Sequence, residues 1–126
     1  MKKIKLTDNA LVVLTKRDYL KRDKDGRVVE TPEKMFRRVA QAIAQVEKNY
    51  TGSSASAKAT ADKWEEKFYQ AMANLEFLPN SPTLMHAGTK FNQLSACFVL
   101  PLNDNLEGIF KSMEQAATIA RTGGGV

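Results

Sequence analysis

The sequence predicts a mainly helical N-terminal domain that gives way to a strand–helix unit, a class running from α+β to α/β. Three observations carry that reading. Apolar side chains recur at helical spacing twice before residue 78, in Phe36, Val39, Ala40, Ile43 and Val46 and again in Trp64, Phe68, Met72 and Leu75. Residues 94–102 form a short, nearly continuous apolar run with Pro101 closing it, the pattern of a strand buried on both faces. A third helical stripe follows through Leu106, Ile109, Phe110, Met113, Ala116, Ala117 and Ala120. The expected division is a helical domain over 1–78 and, over 79–126, the start of a second, α/β domain whose other strands lie outside this sequence.

Each element has a local cause. Thr7-Asp8-Asn9 offers caps to a short first helix through Ala10-Leu11-Val12-Val13-Leu14. Asp23-Lys24-Asp25-Gly26 is a turn, with Gly26 free to take positive φ and the Asp side chains able to bond local backbone. Thr31 is the N-cap of a second helix with Pro32 at its first position, and this helix should fray near Asn49 and Tyr50. The Ser/Ala/Gly/Thr-rich stretch over 51–61 reads as a flexible surface loop that turns helical toward Ala59. A third helix then runs to about Glu76. Between Pro79 and Gly88, Ser81 is expected to cap a short turn with Pro82 first inside it. Asp104-Asn105 caps the last helix and Gly123 ends it.

Bulk properties narrow the function. With 126 residues, 43% hydrophobic and 26% charged, the chain suffices for one core. No apolar run approaches the roughly 20 residues of a membrane span, and polar Thr7, Asp8 and Asn9 break any secretory h-region behind the basic start. A single cysteine rules out an internal disulfide and suits a reducing compartment, so the cytoplasm is expected. Of the net charge of +5, residues 1–40 hold 12 Lys/Arg against 6 Asp/Glu (+6) and residues 41–126 hold 7 against 8 (−1). In the basic third, Lys16, Arg17, Lys21, Arg22 and Lys24 alternate with acids and have only Tyr19 near them. That is a solvated surface rather than a nucleic-acid stripe.

Few residues carry chemistry. Cys97 sits in the apolar run, where a lone cysteine usually packs as a small hydrophobe, and His86 has no orienting acid marked for it. One Cys and one His fall short of the about four ligands of a zinc site, so no metal site is expected. Hydroxyls and free N–H groups around Ser81-Pro82-Thr83 would suit an anion, although capping alone accounts for Ser81. Asp104 and Asn105 read as caps, and Arg121 as a cation near a helix C-terminus. The glycine run Gly123-Gly124-Gly125 is in the first place a helix stop.

Taken together, Asn80-Ser81-Pro82-Thr83-Leu84, Leu94-Ser95-Ala96-Cys97-Phe98-Val99-Leu100-Pro101 and Gly123-Gly124-Gly125-Val126 resemble the large, catalytic subunit of ribonucleotide reductase. The likeness is nearest to the adenosylcobalamin-dependent class II branch. Arg17-Asp18-Tyr19-Leu20 and Pro32-Glu33-Lys34-Met35-Phe36-Arg37-Arg38-Val39-Ala40 look like that branch's entry helices. The resemblance implies that residues 79–126 open a ten-stranded α/β barrel, incomplete here. It implies that Cys97 is one half of the dithiol that reduces the ribose, with substrate bordered by Ser81, Thr83, Ala96, Cys97, Gly124 and Gly125. Where many relatives carry Ser, this chain has Ala96, so a backbone contact survives there and a hydroxyl contact does not.

It further implies that Asp104, Asn105, Leu106 and Arg121 line a specificity site for a deoxynucleoside triphosphate effector, with the last helix pairing against its mate in a homodimer. Adenosylcobalamin would be bound mainly by parts absent from this chain; a radical from an iron-containing partner subunit is the alternative. The remaining reductase polypeptide and a thiol reductant such as thioredoxin complete the implied partners. The resemblance implies three cysteines, the reducing pair and a third that acts as a thiyl radical; with one of them, this chain alone should be inactive.

Two other readings stay open: a non-catalytic helical interaction or regulatory module from a split reductase gene, and a basic nucleic-acid-binding domain. A titration against nucleic acid at increasing salt separates the last of these. The mixed charge predicts no steep fall of affinity with salt attributable to residues 1–40, whereas a nucleic-acid binder shows one.

Overall fold

The computed structural model describes residues 4–51 and 55–126. Helix α1 (Asp8–Lys16) starts as expected, with the Thr7 hydroxyl accepting from the Ala10 N–H at 3.2 Å. The turn at residues 23–26 also forms. Gly26 takes φ +79°, Asp23 Oδ1 accepts from the N–H groups of Asp25 and Arg27 at 2.9 Å each, and an antiparallel bridge joins Arg22 to Val28. Thr31 then caps α2 (Pro32–Ala44), which buries Met35, Phe36, Val39, Ala40 and Ala44.

Beyond Ala44 the chain does not fray. It tightens into a 3₁₀ turn at Gln45–Glu47 and continues as the short α3 (Lys48–Thr51). Helix α4 covers Ala55–Ala73, so the expected loop over 51–61 is helical at Thr51 and from Ala55 onward; its residues 52–54 lie outside the described residues. The alanines there have the highest intrinsic helix propensity, which outweighs the Ser and Thr between them, and Ala61 is buried. At the other end α4 stops at Ala73 rather than Glu76. Leu75 adopts φ +61° and is exposed, leaving the stripe it was expected to extend.

Helix α5 (Ser81–His86) is capped by Asn80, whose side chain accepts from the Thr83 N–H, and not by Ser81. The reason is positional. Pro82 occupies the second helical position, so the cap falls one residue earlier on Asn80, an equally strong capping residue. Helix α6 (Leu106–Arg121) is capped by Asn105.

The core joins these helices. Met35, Phe36, Val39 and Ala40 of α2 meet Tyr69, Met72 and Ala73 of α4, with Ile4 and Leu20 from the N-terminal segment. Leu84 and Ala87 belong to the same cluster, so the helical core continues past residue 78. Along the α2–α4 seam Arg37 lies over the Tyr69 ring at 3.7 Å and pairs with Glu66 at 2.8 Å. Hydrogen bonds from Gln70 and then Arg37 hold the Glu66 carboxyl below its ordinary range.

One buried ion pair ties the loops to this core. Arg38 and Glu30 have side chains only 9% and 7% exposed, and they meet in a two-pronged contact at 2.8 and 3.0 Å. Arg38 also donates to the carbonyls of Ala87 at 2.6 Å, Leu84 at 3.2 Å and Tyr19 at 3.4 Å, while Glu30 accepts from the Lys21 N–H at 3.0 Å. Gly88, at φ +70°, completes the site. A Cβ there would lie 3.1 Å from Arg38 Cγ and 3.3 Å from Ala42 Cβ.

The strand–helix unit is not formed as expected. No strand occurs among the described residues; residues 94–102 are extended, with a single parallel bridge from Cys97 to Gly125. Instead of burial on both faces, Val99 is 97% and Leu102 73% exposed. A ladder needs a neighbouring strand paired over consecutive residues, and this segment is bridged at one residue only. The helical domain is present; a barrel unit is not.

Replacing Arg38 should expose the dependence on the buried pair. Arg38→Met leaves the Glu30 carboxylate buried without its partner and should lower unfolding free energy by about 3–5 kcal/mol. Arg38→Lys should recover only part of that, because an ammonium cannot reproduce the fork. Urea denaturation followed by circular dichroism reads both.

Candidate functional site

The short helix α5 organises one side of the site. Asn80 has both functions of its amide engaged: Oδ1 caps the Thr83 N–H at 3.1 Å and Nδ2 donates to the Leu94 carbonyl at 3.1 Å. The Thr83 hydroxyl donates to that same oxygen at 3.2 Å. Ser81, released from capping, shares a 2.7 Å hydrogen bond with the Tyr19 hydroxyl and stays exposed. The loop expected to touch substrate is therefore tied directly to the segment that carries the cysteine.

The other side is the glycine run. Phe98 N–H donates to the Gly125 carbonyl at 2.9 Å, and Gly125 N–H donates to the Ala96 carbonyl at 2.7 Å. Ala96, Cys97 and Gly125 are thus neighbours along one bridge, and the Cys97 thiol is free and exposed beside it. The glycines differ in what they require. Gly123, at φ +82° with nothing within 4 Å of a would-be Cβ, ends α6 by conformation alone. At Gly124 a Cβ would lie 2.6 Å from Ile119 Cγ2 and 2.8 Å from Phe98 Cε2, so any side chain there requires Ile119 or Phe98 to move.

The four expected effector residues are not brought together. Asp104, Asn105 and Leu106 sit at the start of α6, where Asn105 Oδ1 accepts from the Gly108 N–H at 2.7 Å. Arg121 sits at its last residue, about 22 Å away along a helix rising 1.5 Å per residue. A groove of about 480 Å³ opens at the first end, lined by Asn103, Asn105, Glu107, Lys111 and Glu114 among others. The exposed side chains of Leu106, Ile109, Phe110 and Met113 leave one face of α6 apolar and open.

His86 packs edge-on against Phe91 with ring centres 5.0 Å apart. No group of three or more His, Cys, Asp or Glu able to hold a metal ion occurs among the described residues. Nor, among the described residues, is any helix long and apolar enough to cross a membrane.

Sequence reasoning missed two members of this constellation. Asn80 could have been found, because Asn before Ser-Pro is a strong N-cap. Tyr19 could not, since nothing local signals a contact across 62 residues.

Comparison with known proteins identifies the family. The family described as "Ribonucleotide reductase, all-alpha domain" matches residues 4–92. A "Vitamin B12-dependent ribonucleoside-diphosphate reductase" of Mycobacterium tuberculosis is 43% identical over 122 residues, covering 97% of this chain and 17% of that protein. A protein of the same name from Thermoplasma acidophilum is 37% identical, covering 97% of this chain and 22% of its own length. A "Ribonucleoside-diphosphate reductase subunit alpha" from Helicobacter pylori is 33% identical over 86% of this chain. The chain thus spans about a fifth of the length of the first two relatives.

The two glycines should respond differently to substitution. Gly124→Ala is expected to push Phe98 off the bridge and remove protection of the Phe98 and Gly125 amides. Gly123→Asn, which tolerates positive φ, should leave both nearly unchanged. Amide hydrogen exchange by NMR distinguishes the two.

Proposed function

The chain belongs to the ribonucleotide reductase family, and on that premise we propose that it is the N-terminal part of the large subunit of a vitamin B12-dependent ribonucleoside-diphosphate reductase. The observation that carries the proposal is the exposed Cys97 thiol on a segment fastened both to the Ser81 loop and to the glycine run. That layout supports reading Cys97 as a redox thiol beside a bound nucleotide.

In this reading Ser81 and Thr83 and the backbone at Ala96–Cys97 and Gly124–Gly125 border the ribonucleotide. Cys97 is one of two thiols that become a disulfide. The two electrons and two protons they release reduce the ribose as its 2′-hydroxyl leaves as water. A third cysteine, as a thiyl radical, first removes the 3′-hydrogen. This chain contains one cysteine, so its partner thiols come from other residues, and an external dithiol reductant such as thioredoxin restores the pair.

Adenosylcobalamin, when bound, supplies the radical; the names of the M. tuberculosis and T. acidophilum relatives favour it over an iron-containing partner subunit. No residue of this chain is assigned to hold it. With its thiol kept reduced, the protein acts in the cytoplasm. Asp104, Asn105 and Leu106 contribute to a deoxynucleoside triphosphate site. Because Arg121 lies at the far end of α6, that site is completed across a pair of α6 helices, one from each copy of a homodimer, packed through the open Leu106–Phe110–Met113 face.

The decisive measurement is turnover in the reductase polypeptide that carries this segment. Cys97→Ser should abolish multiple turnover with dithiothreitol as reductant while leaving nucleotide binding in place; full activity of that variant would overturn the assignment.

A further inference from the structure

We propose that Asn80 and Thr83 are positioning residues for the Cys97 thiol, acting as a two-donor clamp on the Leu94 carbonyl. The inference rests on the reading of Cys97 given above and assigns a role to Asn80 that capping alone does not supply. The Cys97 side chain is exposed, so packing does not place it. The backbone leading to it must do so. A thiol misplaced by about 1 Å can lose on the order of 100-fold in rate.

The geometry provides that hold. A carbonyl oxygen accepts two hydrogen bonds, and the Leu94 oxygen receives both of its donors from the first turn of α5, at 3.1 Å from Asn80 Nδ2 and 3.2 Å from Thr83 Oγ1. The Asn80 amide cannot turn over to release its donor, because Oδ1 is engaged by the Thr83 N–H at 3.1 Å. Nor does α5 move freely. Leu84 and Ala87 are in the core, and Arg38 holds both of their carbonyls. From Leu94 to Cys97 is three residues of extended chain, about 10 Å, and just past Cys97 the Phe98–Gly125 hydrogen bond takes over. The thiol is held from both directions, from the helical core through α5 and from α6 through the glycine run.

The identity of residue 80 fits this double task. Ser, Thr or Asp would cap α5 about as well. Of these, Asp has no donor when ionised, and Ser and Thr lack the length of the Asn side chain. An amide both accepts from the Thr83 N–H and donates to Leu94.

Asn80→Ser separates the two tasks. In the full chain, followed by NMR hydrogen exchange, the Phe98 and Gly125 amides should exchange about five-fold faster, corresponding to one lost hydrogen bond, while the Leu84 and Ala87 amides of α5 keep their protection. Thr83→Val, which leaves the Asn80 cap in place, should do the same, and Thr83→Ser should restore wild-type exchange. In the reductase polypeptide, Asn80→Ser should lower kcat by about ten-fold or more with KM for the nucleotide little changed.

Bridge amides that exchange as in wild type in both Asn80→Ser and Thr83→Val would overturn the clamp, as would faster exchange with unaltered kcat. If the exchange result holds and Cys97→Ser nonetheless remains fully active, the clamp stands as structure and the proposed reaction role of Cys97 falls instead.

Discussion

A guanidinium removed from water has to direct its donors at oxygens, and Arg38 does so by reaching parts of the chain that are far apart in sequence. Its fork faces the Glu30 carboxylate, and its remaining donors take carbonyls from Tyr19, Leu84 and Ala87. Such a pair adds little net stability over well-packed apolar side chains of the same volume. What it imposes is geometry: the loop carrying Lys21 and Glu30, the body of α2 and the end of α5 have one mutual arrangement in which every charge is satisfied. Gly88 suits the same junction: its positive φ is strained for any other residue, and a Cβ there would press on Arg38 and Ala42.

That constraint is passed along the chain toward the candidate site. The end of α5 is held by Arg38; its start holds Leu94; from Leu94 the extended segment leads to Cys97 and the bridge with Gly125. Each link is a hydrogen bond between a side chain and backbone or between two backbones. The path therefore does not need a β-ladder to exist. This explains how a segment with Val99 and Leu102 exposed can still have a defined relation to the helical core.

Much of the local structure was legible in the residues. Thr7, Thr31 and Asn105 cap the helices they precede, Gly26 and Gly123 take positive φ where turns need it, and Phe36, Val39 and Ala40 face the core at helical period. The misreadings have physical causes. The Ser, Gly and Thr over 51–61 suggest a flexible loop that turns helical only toward Ala59, yet alanine favours helix strongly, α4 begins at Ala55 and Ala61 is buried. The run over 94–102 was read as a buried strand, because continuous apolar sequence reports that a segment wants neighbours and not whether they are present. At the site, the motifs at 94–101 and 123–126 meet through the Cys97–Gly125 bridge, and the residues expected at an effector site lie at the two ends of α6.

By itself the sequence determined the elements whose causes are local: caps, turns, helix faces, and the motifs at residues 80–84, 94–101 and 123–126 that point to the reductase family. Only the tertiary structure decided which of these motifs touch, that Asn80 rather than Ser81 caps α5, that Tyr19 reaches Ser81 across the chain, and that Arg38 is the junction. The reason is range. Capping and periodicity act over three or four residues, where order along the chain is order in space. A buried charge or a bare carbonyl takes whichever partner the fold brings within about 3 Å, and that choice is made by packing.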